Sequence, residues 1–531
     1  MKKWMVLITL SMSMFIIVID TTIMNVSISA LIEDLDTSVG GIQAAIALYA
    51  LVMASFMMIG GKLADILGKK RTFIAGVVIF GIGTFMASIS QSLTMLIIGW
   101  SFIEGLGSAL MMPNIQTLLR DKYDGSDRAF AYGIISAVAA VGAAVGPIVG
   151  GFLTTYYTWR WAFRLEVLIV AVVLVLSRYI VKDNVSAKRP GFDLLGALLS
   201  ITGWSALVLG ILLGQNYGFW YAKQPFMLGS LEIAPLGLSI VPVLMATGIF
   251  LITLLFSWER QLEEKGGGGL FKPSLLKTPG LISGFAVRFV QLGTTAAFLF
   301  TMPLLFQLSF EFTAMQTGRA LIPFSAGLLV FAVLGARLSA RYSAKGIIQV
   351  GFLLVIAGLV IIAGTIKPDA VPSDLATGVV FGMGLGLIAS QILNLILSSV
   401  SAEDTAEASG LNGTFEQLGN AVGVALVGTI MLGGLIAGVQ DNIYDSSAVP
   451  EQHKAALIEA AESSVYLMSN TELENELNNI GASAAVKSEA LSIYSLARTQ
   501  AFQAGLSFLI FISLLGLVKT TMLPKRKLVE A

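Results

Sequence analysis

The chain has 531 residues, 56% of them hydrophobic and 12% charged, with 33 Lys and Arg balancing 33 Asp and Glu. Soluble domains carry about 25% charged residues, so a mean hydropathy of +0.83 excludes an ordinary soluble globule, and zero net charge argues against a nucleic-acid partner. The absence of cysteine excludes disulfides and thiolate metal sites, and no metal site is expected; the single histidine, His453, falls in a hydrophilic stretch and cannot relay protons inside a membrane.

Apolar runs of about 20 residues are long enough to cross a bilayer. In chain order they cover 4–30, 40–60, 72–92, 94–117, 130–155, 161–182, 194–213, 235–257, 280–308, 316–340, 347–366, 375–399, 411–437 and 499–522, which makes fourteen spans with both termini on one side. The first run begins with lysines like a signal peptide. It lacks a small-x-small cleavage site and carries Asp20 and Asn25, so it reads as span 1. The basic clusters 62–71, 182–189, 260–277 and 525–527 fall on the side of the termini. The excess of Lys and Arg on inside loops predicts that this side is the cytoplasm.

Between spans 2 and 3 the stretch GGKLADILGKKR, 60–71, packs Lys62, Asp65, Lys69, Lys70 and Arg71 into a short break. Each charge would cost a few kcal/mol at the membrane centre, so the chain leaves the bilayer here, turns and re-enters near Thr72. The segment 336–345 overlays 61–70 at a constant offset, with its basic ends and its leucine retained and Ala340 in place of Asp65. This predicts a repeated six-helix unit: a first bundle over 1–190, two inserted helices and a linker around Gly266–Gly269 over 191–278, and a second bundle over 279–531. Such repeats support alternating access around a midplane site. The hydrophilic stretch at about 439–498 predicts a helical hairpin, with helices over 450–467 and 471–480 and 485–497 leading into the last span. It is either a solvated element without a specific role or a docking or lid element over the outer mouth.

Charges within spans are functional-site hypotheses by default. Asp20 lies in span 1, with Asn25 about 140° further round the helix. Glu104 lies in span 4 and Arg164 and Glu166 in span 6, these two being two residues apart and so on different sides. Arg288 with Gln291 lies in span 9, and Glu416 with Gln417 in span 13. The candidate acids are therefore Asp20, Glu104, Glu166 and Glu416, and the candidate cations Arg164 and Arg288. Moving between an apolar pocket and an arginine changes how firmly a carboxyl holds its proton, which is what proton-coupled transport requires. Fixed buried ion pairs are the alternative. In span 5 the run Gly142-Ala143-Ala144-Val145-Gly146-Pro147-Ile148-Val149-Gly150-Gly151 puts small residues every four positions, leaving a groove, while Pro147 removes a backbone donor and predicts a kink.

Several of these stretches carry a resemblance. Gly61-x-Leu63-Ala64-Asp65-x-x-Gly68-Lys69-Lys70-Arg71, the D-x-T-x-x-N-V run from Asp20 to Val26, the Gly-Pro-x-x-Gly-Gly order in span 5 and the WRW-x-F run from Trp159 to Phe163 resemble the major facilitator superfamily, in its fourteen-span drug:H⁺ antiporter branch. The resemblance implies an all-α polytopic membrane protein of two six-helix bundles plus two inserted helices. It also implies a monomeric transporter that is not an enzyme and is driven by the proton gradient without a cofactor. By the same resemblance Gly61, Asp65, Gly68, Lys69 and Arg71 latch the inside gate, and Gly142, Gly146, Pro147, Gly150 and Gly151 form the motif found in exporters. Asp193 becomes an interfacial cap at the start of span 7.

The chain departs from that pattern at Ser101, where such exporters carry arginine, and at Glu104, where glutamine is commoner. It departs again at Arg164 and Glu166, usually uncharged, and at Glu416, where relatives tend to have arginine. These departures put the place of protonation in doubt. An acid-lined path with Phe, Met and Trp suits lipophilic cations through charge and cation–π attraction. The expected activity is proton-coupled export of amphipathic or cationic drugs through the cytoplasmic membrane, with protons, cargo and membrane lipids as partners. The alternative is export of a lipid or lipid-linked molecule that uses the long outer hairpin. An intramembrane enzyme finds no support: no His or Cys in a span, no Gly-x-Ser-x-Gly and no HExxH. There is no Walker A motif for direct ATP use.

Overall fold

Several helices in this chain begin at a small polar residue whose side chain caps the first turn. Ser38, Ser343 and Ser483 each accept a hydrogen bond from a backbone N–H of the first turn, and Thr313 and Ser469 form reciprocal capping boxes with Gln316 and Glu472. The computed structural model describes residues 4–180, 191–223, 225–228, 231–233, 237–367, 376–401, 404–446, 449 and 451–525.

The first bundle comprises α1 (Met5–Val26), α2 (Val39–Leu67), α3 (Lys69–Ser88), α4 (Leu93–Lys122), α5 (Gly125–Tyr156) and α6 (Arg160–Leu176). Then come α7 (Leu194–Tyr217) and α8 (Ile240–Glu264), followed by α9 (Leu281–Ser309), α10 (Ala314–Leu338), α11 (Ala344–Thr365), α12 (Gly378–Leu397) and α13 (Thr405–Asp445). The hydrophilic helices α14 (Glu451–Ser464) and α15 (Asn470–Asn479) precede the last span, α16 (Ala484–Thr520). Thirteen of these helices are at least 18 residues long and apolar enough to cross a membrane. The helix α6 is shorter: its 17 residues rise about 25 Å and are continued by a 3₁₀ turn, Ser177–Tyr179. Outside the spans, between α7 and α8, two short antiparallel strands are added, β1 (Phe226–Leu228) and β2 (Leu231–Ile233), with Phe226 opposite Ile233.

In the first bundle α1 packs on α5 and α6, α4 on α2 and α3, and α3 on α6. In the second, α9 packs on α13 and α16, α12 on α10 and α11, and α11 on α16. The two groups meet along α2 with α13 and along α5 with α10, while α7 and α8 pack together and α7 rests on α2 and α13. At the end opposite the termini, the Gln307 side chain of α9 donates to the Val26 carbonyl at 2.8 Å and accepts from the Ser29 N–H at 3.0 Å.

The charged break between α2 and α3 is tighter than a loop. Helix α2 continues through Lys62 and Asp65 to Leu67, and the whole turn is Gly68, whose φ of 99° lies in the region that disfavours a side chain. Lys69 then pairs with Asp121 near the end of α4, and Lys70 donates to the Ile180 carbonyl beyond α6. Lys345, the residue that overlays Lys70, likewise donates to the Thr521 carbonyl beyond α16. The repeat read from 61–70 and 336–345 thus recurs as a pair of equivalent lysine ties.

Two connections are pinned by carboxylates. Asp193 caps α7, accepting from the Gly196 N–H at 3.0 Å and from the Trp258 indole at 3.0 and 3.1 Å. The buried Glu259 accepts from the Leu270 N–H at 3.1 Å, so the glycine-rich linker 266–269 is anchored at its far side. Beyond it, Lys272 pairs with Asp404 at 2.9 Å ahead of α13, and this ammonium holds the Asp404 carboxyl below its usual value. The hydrophilic hairpin is docked. Buried Arg498 donates to the Met468 carbonyl and the Asn470 side chain, both at 2.9 Å, and Glu311, in the α9–α10 connection, accepts from the Thr471 N–H and hydroxyl at 2.9 and 2.8 Å.

Candidate functional site

Span 4 does not wind uniformly. From Ile97 to Glu104 it is a π-helix, a local widening often found at functional sites, and it carries Trp100, Ser101 and Glu104 inward, all buried. Helix α3 can approach this widened turn because residue 83 is glycine: a Cβ there would lie 2.4 Å from the Glu104 nitrogen and 2.6 Å from the Gly99 carbonyl oxygen.

Three of the four candidate acids converge at this point. Asp20 of α1, Glu104 of α4 and Glu166 of α6 are at most 2% exposed, and one carboxylate oxygen from each lies within 4.8 Å of the others. The Trp100 indole N–H lies 3.0 Å from both Asp20 oxygens. Its ring stacks on Tyr49 at 5.2 Å and meets the edge of Phe163 at 6.4 Å, and the Tyr49 hydroxyl is bonded to Ser108 at 2.9 Å. Thr84 donates to one Glu166 oxygen at 3.0 Å. Both oxygens of Glu104 and the other oxygen of Glu166 are buried and meet no donor among the described residues. Nor does any Lys or Arg form an ion pair with the three acids there. Ser101 donates to the Ala45 carbonyl at 2.8 Å.

Electrostatics decides what such a cluster tolerates. Two carboxylates no more than 4.8 Å apart repel by at least about 3 kcal/mol at an effective dielectric near 20, and each buried charge adds several kcal/mol of desolvation. The arrangement is tolerable when positive charge, as protons or a cation, is held among the carboxyls.

The remaining candidates lie elsewhere. Glu416 does not join the other acids, because the Arg288 guanidinium on α9 claims it at 2.8 Å while also donating to Gln291 at 3.0 Å. Arg164 is exposed and sits 5.1 Å over the Trp161 ring. Tyr156, Tyr157 and Trp161 beside it are also exposed, the pattern of an interfacial anchor, so it is not a partner for the buried acids. Asn25 is buried and donates to the Thr21 carbonyl at 2.8 Å. Of the loop motif, Gly68 makes the turn and Lys69 the tie to Asp121, whereas Asp65 and Arg71 are exposed and Gly61 faces open space.

The glycine run of α5 has two working faces. Gly142, Gly146 and Gly150 press on α1 at Val18, Thr22 and Ile23. Gly151 and Pro147 lie against Ala314 and Gly318 of α10 in the other bundle, and α5 runs as one helix past Pro147. Tyr49, Thr84 and Trp100 escape a reading of the sequence. Only the polar content of Trp100 and Thr84 within apolar spans could have drawn attention to them.

Among the described residues, two packed groups of long apolar helices with α7 and α8 beside them, and acids gathered inside the first group, define a polytopic membrane protein. Residues 10–424 match the Major Facilitator Superfamily, and the chain belongs to that superfamily of transporters. It is 28% identical over 447 residues to the probable actinorhodin transporter of Streptomyces coelicolor, covering 82% of this chain and 74% of that one. It is 26% identical over 450 residues to the multidrug resistance protein Stp of Mycobacterium tuberculosis, covering 84% and 78%. Among solved structures, the bacterial homologue of the human lysosomal transporter Spinster, inward-facing and unoccupied, shares the fold with a TM-score of 0.57 at 15% identity over 98% of each chain.

Proposed function

We propose that this protein exports amphipathic or cationic small molecules across the cytoplasmic membrane by proton-coupled alternating access. The observation that carries the reading is the buried Asp20–Glu104–Glu166 cluster, which meets no cationic side chain among the described residues and so has room for exchangeable protons. The names of the relatives above support drugs and antibiotics as cargo. The basic clusters on the side of the termini support both ends in the cytoplasm. The chain works as a monomer with protons, cargo and membrane lipids as partners and no cofactor.

The test is reconstitution in liposomes with an imposed proton gradient and a fluorescent lipophilic cation. Wild type is expected to move the cation with the gradient, and Asp20→Asn and Glu104→Gln are expected to abolish that dependence. No gradient-dependent movement by folded wild type would overturn the drug-cation reading and turn attention to lipid cargo and the outer hairpin. Undiminished movement in both variants would overturn the assignment of the acids.

A further inference from the structure

The acids of α1, α4 and α6 offer a ligand set for more than protons. We propose that Asp20, Glu104 and Glu166 bind a hard divalent metal cation of the calcium or manganese type. The inference concerns binding alone and stands whether or not protons drive transport.

Four observations carry it. The donors are all oxygen: three carboxylates and, behind Glu166, the Thr84 hydroxyl. The chain has no cysteine, and its one histidine lies in the hydrophilic hairpin, so nothing here favours a softer metal. The carboxylate oxygens lie within 4.8 Å of one another, a span that metal–oxygen bonds of about 2.3–2.6 Å bridge.

Independently of the clustering, both Glu104 oxygens and one Glu166 oxygen are fully enclosed and lack a donor among the described residues. Buried oxygens of this kind require a positively charged or hydrogen-bonding partner. Finally, the outer partners that orient metal ligands are in place: the Trp100 indole fixes Asp20 and the Thr84 hydroxyl fixes Glu166. The contrast with Glu416 sharpens the point. That acid is met by Arg288, whereas the cluster has no built-in counter-charge among the described residues.

The experiment is equilibrium binding of radioactive Ca²⁺ to the full-length protein in detergent after removal of metals with a chelator. One saturable ion per chain is expected, displaced by Mn²⁺. Binding should weaken at least tenfold in Glu104→Gln and in Asp20→Asn, and stay unchanged in Glu416→Gln, each variant being checked for folding by size-exclusion chromatography. No saturable binding by folded wild type up to 1 mM Ca²⁺ would overturn the proposal, as would unchanged binding in Glu104→Gln and Asp20→Asn. Thermal unfolding of wild type gives a reading that needs no variant. Ca²⁺ should raise the midpoint where Na⁺ at equal ionic strength does not, and no rise would overturn the proposal. Failure here leaves proton-driven transport to be judged by its own liposome assay.

Discussion

Replacing Gly151 with alanine tests whether the α5–α10 contact holds one state of the transporter. The added methyl would lie 2.5 Å from the Ala314 carbonyl oxygen and 3.0 Å from its carbonyl carbon. Both atoms are backbone, so no side chain can rotate out of the way and the helices must part. Overpacking of this kind costs about 1–3 kcal/mol, and alanine's better helix propensity does not offset it, because α5 is helical whether or not it lies against α10. The cost, roughly 2 kcal/mol at mid-range, shifts the population with α5 against α10 about thirtyfold. Gly133 on the same helix supplies the control, since a Cβ there meets nothing within 4 Å and alanine brings only the propensity gain. The chain has no cysteine, so Thr155→Cys with Met315→Cys, at positions whose hydroxyl and N–H lie 2.9 Å apart, can be joined by a short thiol cross-linker. Cross-linking should slow severalfold with Gly151→Ala and hold its rate with Gly133→Ala. Equal rates in all three backgrounds would refute the reasoning.

Three further outcomes are expected. Arg288→Ala leaves the largely buried Glu416 carboxylate without its partner, a loss of about 3–5 kcal/mol. The unfolding midpoint in detergent should fall by several degrees and recover when Glu416→Gln is added. Glu311→Ala removes the acceptor of both Thr471 hydrogen bonds, so limited proteolysis within 446–484 should quicken while the spans stay intact. The Asp404 carboxyl is held below its usual value by Lys272. The tie is therefore complete above the unfolded value near 4 and is lost as the pH falls through the lower folded one. A fluorophore on Gly268→Cys should report a change in the linker environment below about pH 4, and Lys272→Met should remove that transition.

The spans were legible because length and hydropathy are local properties, and even the marginal α6 is found where its apolar run predicts. The hairpin helices were legible from their Glu and Ala content and their hydrophilic setting. The turn between α2 and α3 was misjudged in extent. A charged stretch cannot lie in the bilayer core, but nothing prevents it from staying helical beyond the membrane, so the break shrank to Gly68. The acids were legible one by one and not as a cluster. Asp20, Glu104 and Glu166 sit on three spans, and no spacing rule relates helices that are distant in sequence. The separation of Arg164 from Glu166 by two residues placed them on different sides, as found, but which side faces inward is decided by packing. Glu166 points to Thr84, and Arg164 joins the exposed Trp161.

The two bundles share their lysine ties but not their charges. Among the described residues the first holds three buried acids without a cation, and the second neutralises Glu416 with Arg288. An ion pair already satisfied within one bundle has little reason to change with the load. If the cluster takes up and releases protons or a cation, its charge changes, and the effect must cross to the second bundle to drive a rocking motion. A continuous set of contacts is available. Asp20 is two residues from Thr22 on α1, Thr22 is the side chain against which Gly146 of α5 packs, and the next residue, Pro147, presents its carbonyl to Gly318 of α10. Contact alone does not establish coupling, but a double-variant cycle does. If the path is energetic, the effects of Glu104→Gln and Gly151→Ala on cross-linking between Thr155→Cys and Met315→Cys will depart from additivity by more than about 0.5 kcal/mol. The glycine substitution touches no acid and the glutamine touches no interface residue, so strict additivity would mean that the load of the cluster is not transmitted through α5.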